Sequence, residues 1–278
     1  MRFVLPPGTP IRPYAVTASM NKAWIEAGLP SETRWRDPLC ADDVPYCLAL
    51  NRANSYAHDG TPVPGSSEGA LGMPRWVQLD CCLLPSAMVG FEVPRTALDA
   101  AVADMLDPSG TLEWIAVSEY VALPSVETGR YIGISLFSLV TGAGLGVRSK
   151  ALGLRAVGGT ELIGVTQYAS PGVAVHLRFG PLAIVTESVG VHSRPGDTFV
   201  YRLDIPPADV LADLVAGTRV DAGAYIPDEW QVGVRFDPRD EKAREAAMSY
   251  VREAPTWVLE HGPIIDGKIS ELVLGRPR

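Results

Sequence analysis

The chain has 278 residues, 24 basic and 32 acidic side chains, and a formal charge of −8. That balance argues against a nucleic-acid or anionic-membrane partner, which needs a basic surface to displace counterions, and 47% hydrophobic residues argue against a disordered chain. Only Lys22, Lys150, Lys242 and Lys268 are lysines, so lysine chemistry has few possible owners.

The opening residues, MRFVLPPGTPIRPY, place prolines and a glycine where an export signal needs an unbroken apolar run, so a cytoplasmic location is expected. Residues 1–74 read as an irregular and helical N-terminal segment. It contains a helix candidate, SMNKAWIEAGL, and a surface loop, 58–72, rich in Gly, Pro and Ser. Residues 75–205 read as a β-rich core. The runs RWVQLDCCLL, AMVGFEV, TLEWIAVSEYVAL, RYIGISLFSLV, TELIGVTQY, GVAVHLRF, LAIVTESVGV and DTFVYRLDI are short, rich in Val, Ile and aromatics, and separated by turn residues. Segments 97–106, 207–215 and 239–253 read as helices, and 206–278 as helices with C-terminal strands. The sum is α+β: a mainly antiparallel curved sheet or partly closed β-barrel with peripheral helices, one domain over 1–278. Exposed sheet edges would allow a homo-oligomer.

The uncharged run 131–147 holds four Gly, two Ser and a Thr. It is shorter than the roughly 20 apolar residues of a membrane span, so it reads as a buried strand followed by a glycine turn. Cys40, Cys47, Cys81 and Cys82 lack zinc-site spacing, and neighbouring side chains of a strand diverge, so they read as reduced thiols. No metal site is expected.

The stretch LVTGAGLGVRSKALGLRAVGGTELIGV has the outline of a nucleotide-binding strand, turn and helix. Its glycines fall at 142, 144 and 146, however, with Val147 at the third required position and no acidic residue closing the next strand. The four histidines, His58, His176, His192 and His261, are mutually remote and no Gly-x-Ser-x-Gly elbow occurs. His176 shares its face with Arg178 if GVAVHLRF is a strand, and is then expected to face solvent.

Polar residues on apolar faces carry the strongest chemical signal, because burying a carboxylate without a partner is costly. Glu119 interrupts the face Ile115, Val117, Val121, Leu123; Glu187 lies between Val185 and Val189; Gln167 follows Ile163 and Val165. Projecting into one cavity, they would bind a small molecule, and a buried Glu119 would work as an acid or base near neutral pH. Arg148 lies two residues from Lys150, after the glycine turn, and a neighbouring cation eases loss of the lysine proton.

The order RSKAL, TELIGVTQY, GPLAIVTESVGVHS, PGDTFVYRLDIP resembles the acetoacetate decarboxylase-like superfamily over about residues 112–206. Val147-Arg148-Ser149-Lys150 has one lysine where that family has a Pro-Lys-Lys step, with arginine as the other cation. The resemblance implies a lyase that acts on a carbonyl or carboxylate compound through an imine at Lys150. Arg148 would be the neighbouring cation and Glu119 the acid, with Glu187, Gln167, Tyr168 and His176 around the substrate and no cofactor. The alternative is a non-catalytic small-molecule-binding protein of the same fold.

Overall fold

The structure is a computed structural model that describes residues 3–62, 75–188, 197–222 and 230–278. Most of the expected loop, 63–72, and His192 lie outside the described residues. In chain order the elements are β1 (Arg12–Val16), α1 (Lys22–Ile25), β2 (Arg34–Arg36), α2 (Val44–Asp59), α3 (Arg75–Leu83), β3 (Ala87–Pro94), α4 (Ala100–Leu106), β4 (Trp114–Pro124), β5 (Arg130–Ser138), α5 (Leu145–Val157), β6 (Glu161–Gln167), α6 (Pro171–Leu177), β7 (Leu182–Ser188), β8 (Thr198–Asp204), α7 (Ala208–Ala216), β9 (Trp230–Phe236), α8 (Glu241–Glu253), β10 (Trp257–His261), β11 (Ile264–Ile265), β12 (Lys268–Ile269) and β13 (Leu272–Pro277). The chain divides into two compact units, Met1–Gly159 with Ala208–Thr218, and Thr160–Pro207 with Arg219–Arg278. The class is α+β, with sheets as the main element of both units.

The first unit is built on strands in the order β2-β1-β3-β4-β5. The β1–β2 pair is parallel and the others are antiparallel. Strands β3 and β4 are buried along nearly their whole length, which explains their near-continuous apolar sequence: helices cover both faces. Helix α5 reaches one face through Ser149, whose hydroxyl donates to Ser118 Oγ at 2.8 Å. Gly153 lies so close to Tyr120 that a Cβ there would be 2.3 Å from the ring. Helix α2 reaches the other face through Asn54, which donates to Glu119. Successive side chains of a strand point to opposite faces, so Ser118 and Glu119 separate the two helices.

The second unit is an antiparallel sheet ordered β6-β8-β7-β10-β13-β9. Helix α8 starts at Asp240, whose carboxylate accepts from the backbone N–H of Lys242 and Ala243, the standard remedy for unpaired N–H groups at a helix start. The β11–β12 hairpin turns on Asp266 and Gly267, both at positive φ (50° and 74°), as a two-residue primed turn requires. Neither unit closes its sheet into a barrel among the described residues.

Two expected strands are helices. GVAVHLRF lies mostly in α6, where Ser170 accepts from Gly172 N and Pro171 occupies the first helical position. Those cap residues outweigh the alternation of the valines. RWVQLDCCLL lies mostly in α3, with Cys81 and Cys82 both buried; its aromatic and valine content had suggested a strand.

Candidate functional site

Glu119 sits in the middle of β4, 1% exposed, opposite Gly90 on β3 and Phe137 on β5. Asn54 Nδ2 donates to its Oε1 and to Ser135 Oγ, both at 2.8 Å. Its Oε2 is buried without a hydrogen-bond partner among the described residues. Burial pushes the Glu119 pKa up to about 7, against the partial opposition of Asn54 and Ser135. Around it stand Tyr14, whose hydroxyl donates to the Ser118 carbonyl at 2.9 Å, and Phe137, which meets the His58 ring edge-on at 6.5 Å. Burial, and then the negative charges of Glu119 and Glu92, hold the Tyr14 hydroxyl well above the ordinary phenol range. On the same face Glu92, fully buried, is ion-paired with Arg12, and the Arg12 guanidinium stacks 3.7 Å from the Trp114 ring.

Glu119 lies close to a turn. It pairs with Phe137, Ser118 pairs with Ser138, and the chain then leaves β5 for α5. Gly142 and Gly144 hold that turn at φ 82° and 63°, with open space where a Cβ would stand. Gly144 is the N-cap of α5 and no side chain caps the helix. The first-turn N–H groups of such a helix form an anion cradle. The described residues contain no group of three His, Cys, Asp or Glu arranged to hold a metal ion.

Lys150 is fully buried in α5, and burial holds its pKa well below the ordinary lysine value. Helix α5 lies on the face of β4 opposite to Glu119, so the expected pairing of a lysine nucleophile with this acid is not assembled. Arg148, one turn into the same helix, has a structural task. Its Nε donates to the Val215 carbonyl at the end of α7 at 2.9 Å, and its guanidinium lies 4.6 Å over the Phe91 ring.

Glu187, Gln167, Tyr168 and His176, the expected substrate-binding residues, all belong to the second unit. Glu187 is half-buried and paired with Arg252 at 2.7 Å. The β7 register shifts between Ile184 and Thr186, which leaves Val185 56% exposed and reverses the expected inner face. In β6 the buried side chains are Leu162 and Thr166, and Gln167 lies on the half-buried face at the rim of a groove. Tyr168 is core: it stacks on Phe199 and its hydroxyl contacts Met248 Sδ at 2.8 Å. His176, expected to face solvent, is buried against Tyr201 because its segment is helical.

Sequence reasoning missed Asn54, Ser135 and Tyr14. A signal was present in α2, where Asn51, Asn54, Ser55 and His58 recur at spacings of three and four among apolar residues. Polar residues on the buried stripe of a helix mark the same chemistry as a lone carboxylate on a strand face.

No family model and no curated protein matches the chain. Among solved structures, one described as an acyl-CoA N-acyltransferase from Klebsiella pneumoniae is 14% identical over 60% of this chain and 92% of its own, with a TM-score of 0.31. A CoA-dependent acyl-homoserine lactone synthase, solved with SAM and isopentyl-CoA, is 10% identical over 74% of this chain and 90% of its own, with a TM-score of 0.39. Similarity at that level assigns neither family nor activity to this chain. The expected kinship to the acetoacetate decarboxylase-like superfamily is corrected: these two solved structures are of other kinds. Its lysine turn is in fact a buried helix on the wrong face for Glu119. The lyase reading, the imine at Lys150 and the binding protein of the same fold fall with it. No helix among the described residues is long and apolar enough to cross a membrane.

Proposed function

We propose that the first unit carries out group transfer from a phosphate-bearing donor of the coenzyme A thioester class to a nucleophilic acceptor. Donor phosphates dock on the turn 139–144 and the N-terminus of α5, and Glu119 is the general base. The supporting observation is the strand, open glycine turn and uncapped helix running from β5 into α5. It fixes N–H donors at the strand end where the Glu119 pair with Phe137 also lies.

A carboxyl with pKa about 7 suits deprotonation of an amine or hydroxyl acceptor at physiological pH. The acceptor attacks the thioester carbonyl, the carbon–sulfur bond breaks, the thiolate departs, and the acceptor proton passes to the Glu119 carboxylate. A phosphoryl donor would in addition call for cations on the transferring group. Residues 139–147 contain none, and Arg148 is engaged with Val215.

The test is calorimetric titration with coenzyme A and acetyl-coenzyme A, followed by an acyl-transfer assay on a panel of amines. Both ligands are expected to bind, with at least about tenfold loss in Gly144→Val, whose side chain cannot hold φ 63° without strain. Glu119→Gln is expected to keep binding and lose transfer. Failure of both ligands to bind at about 1 mM would defeat the proposal.

A further inference from the structure

We infer that the second unit holds a separate site for a small zwitterion, an α-amino carboxylate, in a groove of about 530 Å³ at the meeting of the β6 end, the β9–α8 turn and the β11–β12 hairpin tip. This volume falls within the ordinary range for small-molecule sites, about 300–1,000 Å³. The walls are mainly polar, which turns it away from apolar ligands.

The charges on the walls are of two kinds. Some are already spent on each other. Arg244 holds Asp197 at 2.7 Å and donates to the Pro238 carbonyl at 2.8 Å, and Arg239 is clasped by Asp237 at 2.6 Å. The other kind is Lys268, at the hairpin tip, and Glu241, in the first turn of α8. Both line the groove. Neither has an ion-pair or side-chain hydrogen-bond partner among the described residues, and they do not reach each other.

Two uncommitted charges of opposite sign on different elements, facing one polar groove, match a ligand that carries both signs. Its carboxylate goes to the Lys268 ammonium and its ammonium to the Glu241 carboxylate. Asp197 and Glu241 line the groove with Arg239, Arg244 and Lys268, and Asp237, beside it, neutralises Arg239, so the groove selects neither a pure anion nor a pure cation. A group that bridges two charges gains from both at once, and one that meets a single charge does not. Gln167 also forms part of the wall.

The experiment titrates the full chain with L-glutamine by ligand-observed NMR, with acetate and ethylammonium as single-charge controls. Saturable glutamine binding is expected, with both controls weaker by at least about tenfold. Lys268→Ala and Glu241→Gln are each expected to weaken glutamine by about tenfold while leaving the thermal midpoint in place, since both side chains are exposed. No saturable binding, acetate binding as tight as glutamine, or glutamine affinity unmoved by both substitutions would each overturn the inference. Coenzyme A takes no part in the measurement, so its outcome is independent of the donor site in the first unit.

Discussion

Ser149 Oγ donates to Ser118 Oγ across 2.8 Å, and Glu119, the next residue along β4, accepts from Asn54 at the same distance on the other side of the sheet. That alternation decides which chemistry the fold can assemble. It places the lysine-bearing helix on one face and the carboxyl with its polar neighbours on the other. Glu119 therefore sits with Asn54, Ser135 and Tyr14, and Lys150 is carried by the helix on the other face.

Burial raises the Glu119 pKa from the ordinary 4.5 to about 7. The folded chain thus keeps a proton that the unfolded chain releases in this window, and the stabilisation is whole below pH 4.5 and lost as pH rises through 7. The loss amounts to roughly 3 kcal/mol at most. Glu119→Gln is expected to raise the thermal midpoint relative to wild type at pH 8 and to confer no such gain at pH 4.5. An equal difference at both pH values would contradict the assignment.

Lys150 has the opposite sign of dependence. Its folded pKa is depressed by burial, so below pH 10.5 the unfolded chain binds the extra proton and the native state recovers stability as pH climbs toward that value. The advantage of Lys150→Met over wild type in urea unfolding should therefore shrink from pH 7 to pH 10. A difference that does not move with pH would show that the amine is charged in the folded protein.

Arg12→Ala strands the Glu92 carboxylate, which is fully buried, and also removes the stacking on Trp114. A buried charge that loses its partner costs about 3–5 kcal/mol. Replacing both residues by apolar ones, Arg12→Met with Glu92→Leu, should restore most of the loss. Denaturant unfolding of the two singles and the double provides the check; an additive double would exclude the pairing as the cause.

Gly90 is held against its neighbour strand. A Cβ there would stand 2.0 Å from the Ser118 carbonyl oxygen and 2.9 Å from the Tyr14 hydroxyl, and a backbone atom cannot step aside as a flexible side chain can. Gly90→Ala is expected to cost about 3 kcal/mol or more. It should also disturb the Tyr14 hydrogen bond, visible as a shift in tyrosine absorbance; an unchanged midpoint would show that the strands part without penalty.

The sequence by itself determined the α+β class, strands β3 to β8 and their chain order, the glycine turn after β5, and the burial of Glu119. Each rests on a local rule: alternation along a strand, or the backbone freedom of glycine. The α3 and α6 segments were misread because valine and aromatic content mimics a strand; in α6 the Ser170 cap and Pro171 outweigh it. Only the tertiary structure decided what stands beside what. Faces are set by strand pairing and helix docking, so no spacing in the chain could reveal that Asn54 meets Glu119 from 65 residues away. Nor could it reveal that Lys150 is carried on the opposite face, or that a one-residue register shift in β7 sends Val185 outward. Such shifts invert every side chain beyond them, because the period of a strand is two.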